Sequence, residues 1–171
     1  MVLNNVKGFD GPYEAPLKLP TRKVLKSWID YNGHMNVAYY TLAFDKVLDD
    51  FLETNLKIGP SFVKKEKQGP YSLQANYNYL DELKLNDKFF SKVYIIDSDH
   101  KKIHLVLEMI NFKTKKLVAI CETLLINVDL NIRKSVIYNT VAKRKIEQYQ
   151  NICKKFPLPL EVGKIIKIKK K

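Results

Sequence analysis

Between Val37 and Leu52 the apolar residues recur at helical spacing, and this run limits the fold more than any other stretch of the chain. Val37, Tyr40, Phe44, Val47, Leu48, Phe51 and Leu52 form one broad apolar face, wide enough to require burial. Asn36 is placed to cap the helix start, its side chain accepting from a first-turn N–H. Lys57 and Gly59-Pro60 are placed to end it. The flanks of the first turns carry Ala38, Thr41 and Ala43 rather than many charges, so other structure is expected to wrap the helix.

The partner for that face is written in the residues that follow. Runs 72–80, 88–97, 102–112 and 116–129 alternate or are rich in aromatic and β-branched residues, as strands are. Leu85-Asn86-Asp87 and Lys113-Thr114-Lys115 are short enough to join antiparallel neighbours. Ahead of the helix, 21–29 reads as a first strand, with Val24 and Trp28 among polar residues. A second helix is expected over 140–156, where Val141, Ile146, Tyr149 and Ile152 are roughly in phase. The order is strand, long helix, then an antiparallel meander, an α+β layout in which one sheet curls around the helix to bury a face. Residues 1–20 read as an irregular lead-in, 21–138 as the domain, and 139–171 as a helix with a Lys-rich tail.

Composition narrows the function classes. The net charge of +12 invites a nucleic-acid reading, yet arginine occurs only at Arg22, Arg133 and Arg144, and lysine supplies the rest. Phosphate and base recognition favours the planar, bidentate guanidinium, so nucleic acid is not expected as a partner. A basic surface still raises the local concentration of acidic partners such as coenzyme A or an acyl carrier protein. No apolar run approaches the roughly 20 residues of a membrane span, and 1–16 lacks the basic-then-apolar order of a signal peptide. Cys121 and Cys153 form no CxxC pair, which argues against structural zinc. A cytoplasmic protein with no membrane partner is the expectation.

The chemistry concentrates at the mouth of the long helix, in DYNGHMNVAYY (30–40). Asp30, Asn32, His34 and Asn36 occupy alternate positions, and Gly33 lets the loop turn tightly. A helix start offers unpaired N–H groups and a partial positive charge. Those donors suit an oxygen that becomes negative during reaction, such as a thioester carbonyl turning tetrahedral. A nearby carboxylate could attack that carbon or activate a water. Read alone, Asp30 could equally be a turn or cap residue and His34 a structural hydrogen bonder.

The stretch resembles the signature of hot-dog-fold acyl thioesterases of the 4-hydroxybenzoyl-CoA thioesterase type, which carry D-x-N-x-H-x-N before the central helix. The resemblance implies that Asp30 is the catalytic carboxylate, supported by Asn32 and His34. It implies that Gly33, Asn36, Val37 and Tyr40 contact substrate, the Val37 amide donating to the thioester oxygen. Glu82, in YLDEL, is the nearest match to a glutamate that plant members place in the sheet after the helix. From Trp28 to Asp129 the chain is similar to betainyl-CoA thioesterases, through WIDYNGHMNVAYY, YLDEL and DHKKIH. Gln74, Asn76, Lys102, Leu107 and Asn127 depart from that group's residues, which leaves the acyl group open. The implied activity is acyl-CoA hydrolysis without metal or cofactor, in a homodimer or dimer of dimers with the acyl pocket between subunits. Asp30 of one chain would then face Glu82 or His104 of its partner. The rivals are a non-catalytic acyl-binding module of the same fold and a basic RNA-binding protein using the Lys-rich tail.

Overall fold

The computed structural model describes residues 17–168. A six-stranded antiparallel sheet holds the strands β1 (Leu17–Lys23), β2 (Gln68–Tyr79), β3 (Lys88–Ser98), β4 (Lys102–Asn111), β5 (Leu117–Asp129) and the short β6 (Lys134–Ser135). The helices are α1 (Val37–Phe51), α2 (Pro60–Glu66) and α3 (Thr140–Cys153). The sheet curls around α1, whose Tyr40, Ala43, Phe44, Val47 and Phe51 are buried. Tyr40 meets Tyr79 edge-on at 5.4 Å, and Phe44 meets Tyr77 at 6.1 Å.

The end of α1 shows how the sequence stops a helix. Its last turn widens over Leu52–Leu56 into a π-turn, Lys57 adopts the left-handed conformation, and Ile58 N–H bonds back to the Leu52 carbonyl at 2.9 Å. Gly59 follows because a Cβ there would lie 2.5 Å from the Glu53 backbone nitrogen. Phe51, fully buried, packs at a tilt against Tyr149 of α3, ring centroids 5.1 Å apart. Tyr149 in turn donates its hydroxyl to the Val93 carbonyl at 2.6 Å, tying α3 to β3. Truncating Phe51 to alanine empties this junction and should cost about 3–5 kcal/mol of stability in chemical denaturation.

Several elements differ from expectation. The first strand was expected over 21–29; it is instead β1, Leu17–Lys23, and a 3₁₀ turn occupies Lys26–Trp28. Val24 and Trp28 are both buried, but a spacing of four fits a helical turn as well as alternation. The strand thus includes residues 17–20 of the expected lead-in; residues 1–16 lie outside the described residues. The pairing slips between Leu19 and Arg22, around Pro20, which has no N–H and is tolerated on this edge strand. The strands β3, β4 and β5 form a meander as expected, but β2 pairs with β5 rather than β3. The link 80–87 therefore crosses from one side of the sheet to the other, past the start of α1. The short helix α2 has no buried residue and hence no apolar period to read; Pro60 sits at its first turn.

Candidate active site

The DYNGHMN stretch folds as a tight hairpin turn. Ile29 bridges Met35, Asp30 N–H donates to the His34 carbonyl at 3.0 Å, and Gly33 N–H donates to the Asp30 carbonyl at 3.1 Å. Gly33 carries φ +81°, which glycine adopts without strain. The Asp30 carboxylate is held by the same turn: Oδ1 accepts the Asn32 N–H at 2.8 Å. Its Oδ2 lies 3.9 Å from His34 Nδ1, and the Asp30 side chain is only 11% exposed. His34 Nδ1 lies 3.2 Å from the Met35 carbonyl. The Asn32 side chain is exposed.

Asn36 then starts the helix. Its Oδ1 accepts from Ala38 N–H and its carbonyl from Tyr39 N–H, both at 2.9 Å. Val37 N–H, the first amide of α1, has no hydrogen-bond partner among the described residues. The turn is pinned from both sides: Asn36 N–H to the Trp28 carbonyl at 2.8 Å, and Met35 N–H to the Leu83 carbonyl at 2.7 Å. Leu83 N–H donates to Tyr40 Oη at 3.0 Å, so one residue of the crossing link holds both the turn and the helix. Tyr40 is buried, and burial pushes its hydroxyl above the ordinary range; it supports the site as a neutral hydrogen-bond acceptor.

The remaining candidates are distributed unequally. Glu82 stands next to Leu83, at the same end of the molecule, but its carboxylate is half exposed and paired with Lys84 at 2.8 Å. His104 lies on the sheet face away from α1, where Nε2 meets Glu122 Oε1 at 2.8 Å. Glu122 Oε2 also accepts from Gly163 N–H at 2.8 Å, so the pair fastens the chain beyond α3 across that face. The clamp at Leu83 and the stack of Trp28 on Tyr39, 5.5 Å apart, carry no signal in the sequence. Nothing in the local pattern marks Leu83, because its role is carried by the backbone.

Beyond the turn, a cavity of about 310 Å³ runs along α1 from Ala38 to Leu48, walled by β2, β4 and β5. Cys121 lies in its wall, and burial pushes that thiol up to about 12; it is neutral and no nucleophile at ordinary pH. Because the folded value is raised, the stability this contributes is complete below the ordinary thiol range and is lost as pH climbs toward 12. Thermal melts between about pH 8 and about pH 11 should therefore show a falling midpoint, and Cys121→Ala should make that fall shallower, the buried Cys153 thiol contributing with the same sign.

Residues 24–165 match the thioesterase-like superfamily. This chain belongs to that family. The betainyl-CoA thioesterase of Pseudomonas aeruginosa is 25% identical over 156 residues, 90% of this chain and 92% of that protein. An L-carnitine dehydrogenase/betainyl-CoA thioesterase of Rhizobium meliloti is 30% identical over 71% of this chain, which spans only 24% of that protein. Among solved structures, a hypothetical protein of Staphylococcus aureus in complex with CoA superposes with a TM-score of 0.82 at 25% identity, covering 88% of this chain and 94% of that one. A putative thioesterase of Pseudomonas putida shares the fold, with a TM-score of 0.76, 24% identity and coverage of 90% and 97%. The curled sheet around α1 is the hot-dog fold of these thioesterases. No helix among the described residues is long and apolar enough to cross a membrane.

Proposed function

We propose that this thioesterase-family protein hydrolyses acyl-CoA thioesters at the mouth of α1. The observation that carries the reading is the Val37 N–H, without a partner among the described residues, at the helix start beside a carboxylate held by its own turn. The Asp30 Oδ2 atom, 3.9 Å from the His34 imidazole, acts as the general base or as the nucleophile. In the first case it takes a proton from water as the water oxygen bonds to the acyl carbon. The carbonyl electron pair moves onto oxygen, where Val37 N–H and the helix start stabilise it. Collapse breaks the C–S bond, the CoA thiolate leaves and recovers the proton, and a carboxylic acid is released. In the second case Asp30 forms a mixed anhydride that water then cleaves. The Asn32 backbone N–H orients the carboxylate, and the His34 imidazole stands 3.9 Å from its other oxygen. Similarity to a CoA complex and to betainyl-CoA thioesterases supports CoA as the thiol carrier. Thiol release from an acyl-CoA panel tests the reading, and release no faster than without protein would end it.

The active form is proposed to be a homodimer. The strand β2 is an edge strand among the described residues and carries Tyr71, Leu73 and Tyr79 at 45–53% exposure, and Val37 is 56% exposed on the adjoining face of α1. An open apolar edge of this kind invites pairing with a second copy. Light scattering should give twice the 20.0 kDa chain mass. Leu73→Asp should lower that mass and the thioesterase activity together, whereas a monomeric wild type with full turnover would contradict the dimer.

A further inference from the structure

We propose that the segment after α3, 154–168, is a clasp that closes over a strand of a second copy at the β2 edge. The proposal rests on the homodimer reading and adds the element that holds the two copies together. The segment leaves α3, which Tyr149 ties to β3, and crosses the sheet face that points away from α1. Val162 packs against the core, and Gly163 N–H donates to Glu122 Oε2 on β5 at 2.8 Å. His104 on β4 holds the other Glu122 oxygen at 2.8 Å, so this anchor is fixed from two strands. Gly163 itself carries φ +73°, a turn that glycine makes without strain. The Lys164 carbonyl then accepts from Asn76 Nδ2 at 3.3 Å, which brings the segment to β2, the last strand of the sheet among the described residues.

Beyond that bond the chain turns apolar where water should favour charge. Ile165, Ile166 and Ile168 are 79%, 95% and 92% exposed, and a cluster of this kind marks a surface that something covers. In an extended chain Ile166 and Ile168 fall on one side and Lys167 on the other. Between this run and β2 lies a slot of about 920 Å³, walled by 76–79 on one side and by Glu161 and 163–167 on the other. A residue in a sheet occupies about 3.4 Å by 4.8 Å by 10 Å, so the slot admits roughly five residues of strand. Its wall also holds a donor in need: Asn78 Nδ2 is buried and has no hydrogen-bond partner among the described residues. A backbone carbonyl of an incoming strand would supply the acceptor, and an unmet buried donor is costly. A second copy fits best, because a two-fold contact brings the same edge and the same clasp to both sides. Each slot then receives the other chain's strand while its isoleucines cover that strand. Tyr79 on the slot wall meets Tyr40 edge-on, so the seated strand lies one ring from the residue that holds Leu83.

Ile166→Ser combined with Ile168→Ser in the full chain tests the clasp. Both side chains are exposed in the single chain, so far-UV circular dichroism should not change. In sedimentation equilibrium the wild type should be a dimer, and the double variant should dissociate at least about a hundredfold more readily, the scale of two isoleucines uncovered. A photo-cross-linker attached at Ile165→Cys, with Cys121 and Cys153 both buried, should join two chains and map to β2 or the clasp of the other. A wild-type dimer that the double variant leaves equally tight overturns the clasp and spares the dimer. So does a cross-link confined to its own chain. A wild-type monomer overturns the dimer reading, and the clasp with it. Unchanged dimerisation alongside isoleucine-dependent binding to phosphatidylglycerol vesicles overturns the clasp in favour of a membrane arm.

Discussion

Asp30→Asn should lower kcat for acyl-CoA hydrolysis by about 10²–10⁴, the range of one positioned base or nucleophile, with KM changed far less. The amide oxygen of the new side chain can still accept the Asn32 N–H, so the bond that shapes the turn survives. What is lost is the negative oxygen at the Oδ2 position, 3.9 Å from His34. Circular dichroism and the thermal midpoint should therefore stay close to those of the wild type. A large loss of both activity and stability would make Asp30 a structural turn residue. Unchanged turnover would remove it from the chemistry altogether.

Val37→Pro should remove the oxyanion donor while keeping the helix. Proline lacks the N–H yet is favoured at the first helical position, where that N–H bonds to nothing within the helix. A proline also demands an extended residue before it, and Asn36 already sits at φ −66°, ψ 145°. The Asn36 cap on Ala38 N–H is untouched by the change. The expected loss is about 10²–10³ in kcat, the cost of one oxyanion donor, in a protein that melts near the wild-type temperature. Val37→Ala, which keeps the N–H, should retain activity within a few fold. Equal activity in all three proteins would move the oxyanion site away from the helix start.

These two residues were visible in the sequence because the turn and the helix are local features. The spacing of Asp30, Asn32, His34 and Asn36 survives as one hydrogen-bonded hairpin leading into α1, and the apolar period of Tyr40, Phe44, Val47 and Phe51 gives the buried face directly. The strands β3, β4 and β5 were equally legible. Their order relative to β2 was not, because alternation says which residues share a face and nothing about which strand lies alongside. That order decides the cavity: Leu107 faces Cys121 across β4 and β5, and Tyr77 reaches the same wall from β2. The same limit applies to His104 and Glu82, whose types suggest chemistry. Within one chain His104 pairs with Glu122 on the opposite face, and Glu82 pairs with Lys84. The Leu83 clamp works through backbone N–H and C=O, which every residue but proline carries, so no residue type could have flagged it.

Catalysis, and not merely binding, is expected of this protein, and the release of free CoA thiol measures that difference most directly. With the purified full chain and the acyl-CoA panel, thiol should appear in proportion to protein, with the rate saturating in substrate and dropping to near background in Asp30→Asn. Acyl-CoA that binds to the protein and is released intact, at a hydrolysis rate no greater than in buffer, would contradict the account and leave an acyl-binding module in its place.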